Sequence, residues 1–327
     1  MDGGAAGAPT LGVDLGGTKI EIAAVSPDGR ILGSRRRPTE ASRGPEPVIA
    51  DLIATLRESI AAEGRRATAV GVGVAAQVDG SGGVVFAPNL RWRNVALGAR
   101  LSAAVGLPVT VTNDVRAATF GEWKFGAGRG ESDLVCLFIG TGIGGGAVVA
   151  GTLLEGASHT GGELGHMTIV TGGRACTCRN LGCFEAYVGG WAIAARAQEA
   201  ARSSPSDGRW MVDAASSLEA ISAATVVAGY EAGDAMSKRL FDETAAYLGS
   251  GLVGVVNAFN PRRLILGGGI VERAPFLIEP AERHVRTHAL EAAMGELRFE
   301  RAGLGNDAGV VGAAAMAAHA SGRGGPG

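Results

Sequence analysis

Between Gly161-Gly162-Glu163-Leu164-Gly165 and Phe184-Glu185 the chain carries one imidazole and three thiols, His166, Cys176, Cys178 and Cys183. Thiolates and imidazole are donors that suit tetrahedral Zn2+, and four protein ligands leave no open position for a substrate. The set therefore implies a structural zinc ion that stiffens the segment 166–183. A disulfide or reduced core cysteines are the competing readings. Cys-x-Cys is too short for an ordinary bridge, and loop residues rather than an apolar run surround these thiols. Cys136, inside Leu134-Val-Cys-Leu-Phe-Ile139, reads instead as buried packing.

Glycine turns form a second set. Asp14-Leu-Gly16-Gly17-Thr18-Lys19 places a carboxylate at a strand end, two residues that let the backbone approach a ligand, then a hydroxyl and a cation. Such a turn can hold a β- or γ-phosphate while Asp14 orders Mg2+ directly or through water. An ordinary hairpin turn is the plainer reading. Gly140-Thr141-Gly142-Ile143-Gly144-Gly145-Gly146 contains a formal G-x-G-x-x-G. That fingerprint needs a helix immediately after the turn, whereas Ala147-Val-Val-Ala150 reads as a strand. A second hairpin cradling phosphate fits better, with Thr141 adding a hydroxyl. Gly267-Gly268-Gly269, after an apolar strand and before a helix, is a third place where backbone can lie against a ligand.

Asn113-Asp114 stands where a strand gives way to a helix, so an N-cap is the bland reading. The sharper one makes Asp114 a general base at the carboxyl edge of a sheet, where open α/β proteins bind ligands. Phosphoryl transfer to an alcohol needs such a group to accept the hydroxyl proton. Asn89, in Ala87-Pro-Asn-Leu90, and Asn113 can orient hydroxyls or serve turns. Glu163, His166 and Glu185 offer the acceptors and ring nitrogen that grasp vicinal sugar hydroxyls, or the glutamates support the zinc loop. A zinc-bound nitrogen on His166 fixes the tautomer and leaves the other nitrogen for a sugar.

The elements that must position these groups follow from periodicity. Leu11–Leu15, Ile20–Val25 and Ile31–Arg36 read as antiparallel strands. Val48, Leu52, Ile53, Leu56 and Ile60 mark an amphipathic helix over Glu46–Ala62. Val70–Val74 is a buried strand, Leu97–Val105 a helix and Val109–Thr112 a strand. The same opening recurs at Leu134–Ile139, the glycine run and Ala147–Ala150. Helices are expected near Gly190–Arg202, Ser222–Ala232, Ala235–Phe259 and Asp307–Ala320, and a strand at Arg263–Leu266. Ser203–Ser217 reads as a loop, and the low-complexity ends Met1–Ala8 and Ser321–Gly327 as disordered.

At 327 residues the chain exceeds a usual single core, so two α/β lobes are expected, with a cleft between them as the default site. The lobes are expected at 9–113, with helix 307–320 able to pack back on it, and at 114–306. With 46% hydrophobic residues and a net charge of -2, the composition makes no electrostatic case for nucleic acid. No apolar stretch is long enough to span a bilayer, and the N-terminus lacks a secretory pattern. No membrane partner is implied, and a cytoplasmic location is expected, which favours metal over disulfide.

These pieces, in this order, resemble the ROK family of bacterial sugar kinases and sugar-responsive repressors, most closely its glucokinases. Asp14–Lys19, Pro88-Asn-Leu90, Asn113-Asp114, Gly140–Gly146, Glu163-Leu-Gly-His166, the cysteines and Gly267–Gly269 carry the resemblance across nearly the whole chain. It implies a two-lobed, actin-like ATPase fold of the ribonuclease-H-like class, with sugar bound between duplicated α/β lobes. Asp114 would be the base on the sugar 6-hydroxyl, and Asn89, Asn113, Glu163, His166 and Glu185 would bind sugar. Asp14, Gly16, Gly17, Thr18, Lys19, Gly140, Thr141, Gly142 and Gly144 would hold phosphates, with Gly267, Gly268 and Gly269 near the adenosine. ATP, Mg2+ and structural Zn2+ would be the cofactors, and a homodimer the assembly. Glucose is the expected substrate, with N-acetylmannosamine, mannose, fructose or allose, and polyphosphate as donor, left open. A non-catalytic sugar sensor and an NAD-dependent dehydrogenase are the alternatives. Only thirteen residues precede Asp14, too few for a repressor's helix-turn-helix. Ala76, Thr177 and Arg179 stand where the family commonly has glycine. If position 76 needs positive φ, alanine would strain it.

Overall fold

The computed structural model describes residues 7–63 and 66–322. Residues 1–6 and 323–327, within the low-complexity ends, lie outside the described residues. The chain opens with β1 (Thr10–Leu15), β2 (Lys19–Val25) and β3 (Ile31–Pro38), antiparallel as their spacing suggests. α1 (Pro45–Ala62) buries Val48, Ile49, Leu52 and Leu56, one helical stripe, and carries proline where its first N–H would be unpaired anyway. β4 (Val70–Val74) is buried along its whole length. A small antiparallel sheet follows, of β5 (Gln77–Val78), β6 (Val84–Ala87) and β7 (Trp92–Val95). Then come α2 (Leu97–Val105), β8 (Val109–Asn113) and α3 (Asp114–Phe125). The main sheet of this part runs β3-β2-β1-β4-β8, with β1, β4 and β8 parallel.

The second half repeats the plan. β9 (Leu134–Ile139) turns into β10 (Ile143–Val149), and β11 (Thr152–Leu153) pairs back on β10. The helices α4 (Glu185–Val188), α5 (Gly190–Ser203), α6 (Arg209–Ala215), α7 (Ala223–Glu231) and α8 (Ala235–Phe259) come next. β12 (Arg263–Gly267), α9 (Gly269–Arg273), α10 (Ile278–His288), α11 (Glu291–Met294), β13 (Arg298–Arg301) and α12 (Ala308–Ala320) complete the chain. β12 lies parallel to β9 on one side and β13 on the other, as buried strands joined through helices must. Two expectations change. α6 replaces the loop read into Ser203–Ser217, because Met211 is fully buried there. β10 starts at Ile143, so Gly144 lies inside a strand and not in the turn.

The chain divides into two compact units, residues 1–132, 146–162 and 302–327, and residues 133–145 and 163–301. Rather than ending at residue 113, the first unit takes in α3 and the returning α12, which packs on β1, β4 and α3. Glycines make that possible. A Cβ on Gly71 would lie 1.8 Å from the Ala313 carbonyl oxygen, and one on Gly12 would lie 1.9 Å from that of Val310. Small residues on both faces let an alanine-rich helix sit flush on the sheet and bury Val310, Val311, Ala313 and Ala314. Among the described residues, no helix is long and apolar enough to cross a membrane.

Candidate active site

In the first unit the register of the parallel strands decides what meets. Leu15 pairs with Val74 and Val74 with Asn113, so β1 and β8 end level at one carboxyl edge. The Asp14–Lys19 turn and Asp114 both leave from that edge, the place where open α/β sheets bind ligands. The turn is closed by the Gly16 N–H donating to the Lys19 carbonyl at 3.0 Å. Gly17 lies against Asn89, since a Cβ there would be 2.9 Å from that of Asn89. Thr18 and Asn89 are exposed, and Lys19 is ion-paired to the buried Glu21 at 3.5 Å. Asp14 is partly buried. Burial raises its carboxyl above the ordinary value, Lys19 opposes the rise and Glu21 adds to it. A carboxylate held in this way gains from an added cation.

Asn113 caps α3: its Oδ1 accepts from the Val115 N–H at 2.9 Å and the Arg116 N–H at 3.0 Å. Its Nδ2 donates to the Ala76 carbonyl at 3.3 Å, leaving a second amide hydrogen. The N-cap reading of Asn113-Asp114 falls on Asn113 alone. The cap is Asn113, and it sets Asp114 as the first residue of α3, where its Oδ1 accepts from the Val115 N–H at 2.9 Å. Ala76 is buried and is not among the described non-glycine residues with positive φ, so alanine imposes no backbone strain there.

The second unit has its own carboxyl edge. Phe138 of β9 pairs with Gly267 of β12, so the 140–143 turn and Gly268, at φ 90, emerge together. Gly140 N–H donates to the Gly142 carbonyl at 2.9 Å. A strand follows this turn where the dinucleotide fingerprint requires a helix, which removes the structural basis of the dehydrogenase alternative. Thr141 is exposed. Glu163 is exposed at the start of a short 3-10 turn that carries His166. Glu185 is only 8% exposed. Its Oε2 accepts from the Ile143 N–H at 2.8 Å and its Oε1 from the Trp191 indole N–H at 3.1 Å.

His166, Cys176, Cys178 and Cys183 present ligand atoms all within 4.8 Å of one another. Cys176 Sγ is 3.7 Å from His166 Nδ1, and Cys178 Sγ is 3.6 Å from Cys183 Sγ. Tetrahedral zinc with ordinary bond lengths separates such donors by about 3.5–3.8 Å, so the set fits that ion. Nδ1 is the nitrogen turned to the thiols, which leaves Nε2 of His166 for another partner. Burial, with Cys178 and Cys176 beside it, pushes the Cys183 thiol up to about 12. The loop is a tight hairpin in which the Cys176 N–H donates to the Asn180 carbonyl at 2.9 Å and Arg179 adopts φ 77. The Asn180 amide also donates to Cys183 Sγ at 3.4 Å and to Thr168 Oγ1 at 2.9 Å. Sequence reading missed Asn180 and Trp191. Asn180 sits between two ligands and was findable as a donor to sulfur, but no spacing signals Trp191.

The ROK family model matches residues 10–320. Glucokinase from Streptomyces coelicolor is 34% identical over 311 residues, covering 94% of this chain and 97% of its own. Glucokinase from Thermotoga maritima is 35% identical over 308 residues, covering 94% and 96%. A solved ROK family glucokinase from Streptomyces griseus, in complex with glucose and AMPPNP, superposes with a TM-score of 0.80 at 33% identity, covering 95% of this chain and 99% of that one. The chain belongs to the ROK family. Its mixed α/β fold, with a hairpin ahead of parallel strands in each sheet, matches the family's glucokinase structures.

Proposed function

We propose that this protein is an ATP-dependent sugar kinase that phosphorylates the 6-hydroxyl of a hexose, with glucose as substrate. The observation that carries this reading is the common carboxyl edge of β1, β4 and β8, from which a carboxylate-headed glycine turn and Asp114 both emerge. The family and its glucokinase members support it. The backbone of the Gly16 and Gly140 turns, with Thr18, Lys19 and Thr141, holds the phosphates, and Gly267–Gly269 lies near the adenosine. Asp14 would hold Mg2+, which would supply charge neutralisation on the transferring group. Asn89, Asn113, Glu163, His166 through Nε2, and Glu185 orient the sugar. Asp114 takes the proton from the 6-hydroxyl as that oxygen bonds to the γ-phosphorus and the bond to the β-phosphate oxygen breaks, giving ADP. His166, Cys176, Cys178 and Cys183 would hold zinc, which would stiffen the loop without taking part in the transfer. A cytoplasmic homodimer completes the reading, and light scattering coupled to size exclusion tests the dimer.

Asp114→Asn keeps the shape of the side chain and removes its basicity. Turnover should fall about 10²–10⁴-fold, the usual contribution of a general base, while glucose affinity by calorimetry changes little. Near-normal turnover in the folded variant would refute Asp114 as the base. No turnover by the unaltered protein with ATP-Mg and any hexose would refute the kinase.

A further inference from the structure

The carboxylate of Glu185 does more than face a ligand. Its Oε2 accepts from the backbone N–H of Ile143, in the turn read above as a phosphate cradle, and a Cβ on Gly142 would lie 2.4 Å from that oxygen. Trp191 grips the same turn from the other side: its backbone N–H donates to the Thr141 carbonyl at 3.0 Å, beside the Gly190 N–H on the Gly140 carbonyl at 2.9 Å. The indole N–H of Trp191 donates to Glu185 Oε1 at 3.1 Å. Trp191 therefore touches both the turn and the carboxylate that the turn rests on.

We propose that Trp191 is a positioning residue which locks Glu185 against the 140–143 turn, so that sugar binding and nucleotide binding strengthen each other through one carboxylate. The proposal rests on the reading of Glu185 as a sugar ligand and of the turn as a phosphate cradle. A carboxylate has about four acceptor positions, and Ile143 and Trp191 take one on each oxygen. Sugar hydroxyls donating to the remaining positions hold the carboxylate in place, and with it the Ile143 N–H and the backbone of Gly142. Because Glu185 is buried, these charge-assisted bonds are strong and any shift of the carboxylate moves the turn. A phosphate on the turn holds the same backbone from the other side. Binding of either ligand then lowers the ordering cost of the other, and the coupling must be reciprocal.

Trp191→Phe keeps an aromatic ring and the backbone N–H but removes the indole donor. Glucose affinity is measured with and without AMP-PNP-Mg, beside steady-state kinetics. In the unaltered protein AMP-PNP should tighten glucose binding. In Trp191→Phe the glucose Kd should rise about tenfold, the loss expected for one hydrogen bond to a charged group, and the tightening by AMP-PNP should fall toward unity. Glucose KM should rise more than kcat falls. Glu185→Gln, whose amide would set a donor against one of the two N–H groups, should lose the coupling as well. Glucose should also change tryptophan emission in the unaltered protein, and that change should vanish in Trp191→Phe although Trp92, Trp123 and Trp210 remain. A merely structural role would lower Tm and leave the coupling ratio and the emission change in place. An active, folded Trp191→Phe with undiminished coupling overturns the proposal and leaves the kinase standing, whereas an unaltered protein that neither binds nor phosphorylates any hexose overturns both.

Discussion

Asp14 carries a cost that the proposed Mg2+ site would explain. Burial raises its carboxyl pKa above the ordinary value for an aspartate, with Lys19 opposing and Glu21 adding to the rise. A raised folded-state pKa means that the folded protein binds this proton more tightly than the unfolded chain. Ionised Asp14 therefore destabilises the ligand-free protein, increasingly as pH rises through the raised pKa, and the cost disappears below the unfolded value. Asp14→Asn should raise Tm at pH 7 and lose that advantage progressively as pH is lowered toward 4. Turnover should fall on the order of 10²-fold, the typical loss when one electrostatic partner of a transition state is removed. Calorimetric scans across pH, run beside kinetics, check both; a variant less stable than the parent at pH 7 would contradict the argument. The imidazole and three thiols were legible by type and spacing and are gathered within 4.8 Å, while Asp14 and Asp114 stand out in the same way as candidates. What was not legible is conformation. Ala76 and Arg179 both stand where the family commonly has glycine, yet only Arg179 adopts positive φ, at 77. Likewise Glu185 is identifiable as an acceptor, but its two donors come from residues 143 and 191, which no local pattern links.

Elements were legible where their period was long enough to count. α1, α8 and the parallel strands declare themselves by stripes or by continuous apolar runs. β5–β7 escaped because strands of two to four residues show too few alternations. α10 escaped because just two of its residues, Ala281 and Val285, are buried. The His166–Cys183 hairpin has neither period, and its donor set is what marks it. Metal ligation requires deprotonated thiols and so competes with protons. Since the metal-free Cys183 thiol lies at about 12, protons win increasingly as pH falls. Metal analysis should find about one zinc per chain, and release to a chromophoric chelator should rise as pH is lowered from neutrality. Complete removal, or Cys178→Ser, should lower Tm and raise glucose KM while ATP KM stays put. An unchanged Tm after verified removal would refute the structural role.

For the molecule as a whole, the consequential feature is that the first unit is discontinuous, built from residues 1–132, 146–162 and 302–327. Its last contribution, α12, lies on β1, β4 and α3, and its backbone is admitted by Gly12 and Gly71. Gly312 closes on α3 in the same way, since a Cβ there would sit 1.7 Å from the Ala117 carbonyl oxygen. Glu122 of α3 adds a polar tie: its carboxylate accepts from the N–H groups of Gly303 at 2.9 Å, Leu304 at 2.8 Å and Ala127 at 2.9 Å. The N-terminal strands thus cannot complete their packing until the end of the chain has arrived, and contacts of such long sequence separation slow folding. Residues 1–301 should therefore fail to fold, because the truncation bares the apolar sheet face that α12 covers and leaves the buried carboxylate of Glu122 without two of its three donors. Each loss alone is worth a few kcal/mol, and together they rival the roughly 5–15 kcal/mol that holds a typical protein folded. Circular dichroism, thermal melting and glucose titration of the truncated chain decide the matter. Loss of cooperative melting and of glucose affinity is the expected result, even though the zinc segment and the residues named for the sugar all lie before the cut. A fragment that melts like the full chain would mean that α12 merely decorates a unit able to stand without it.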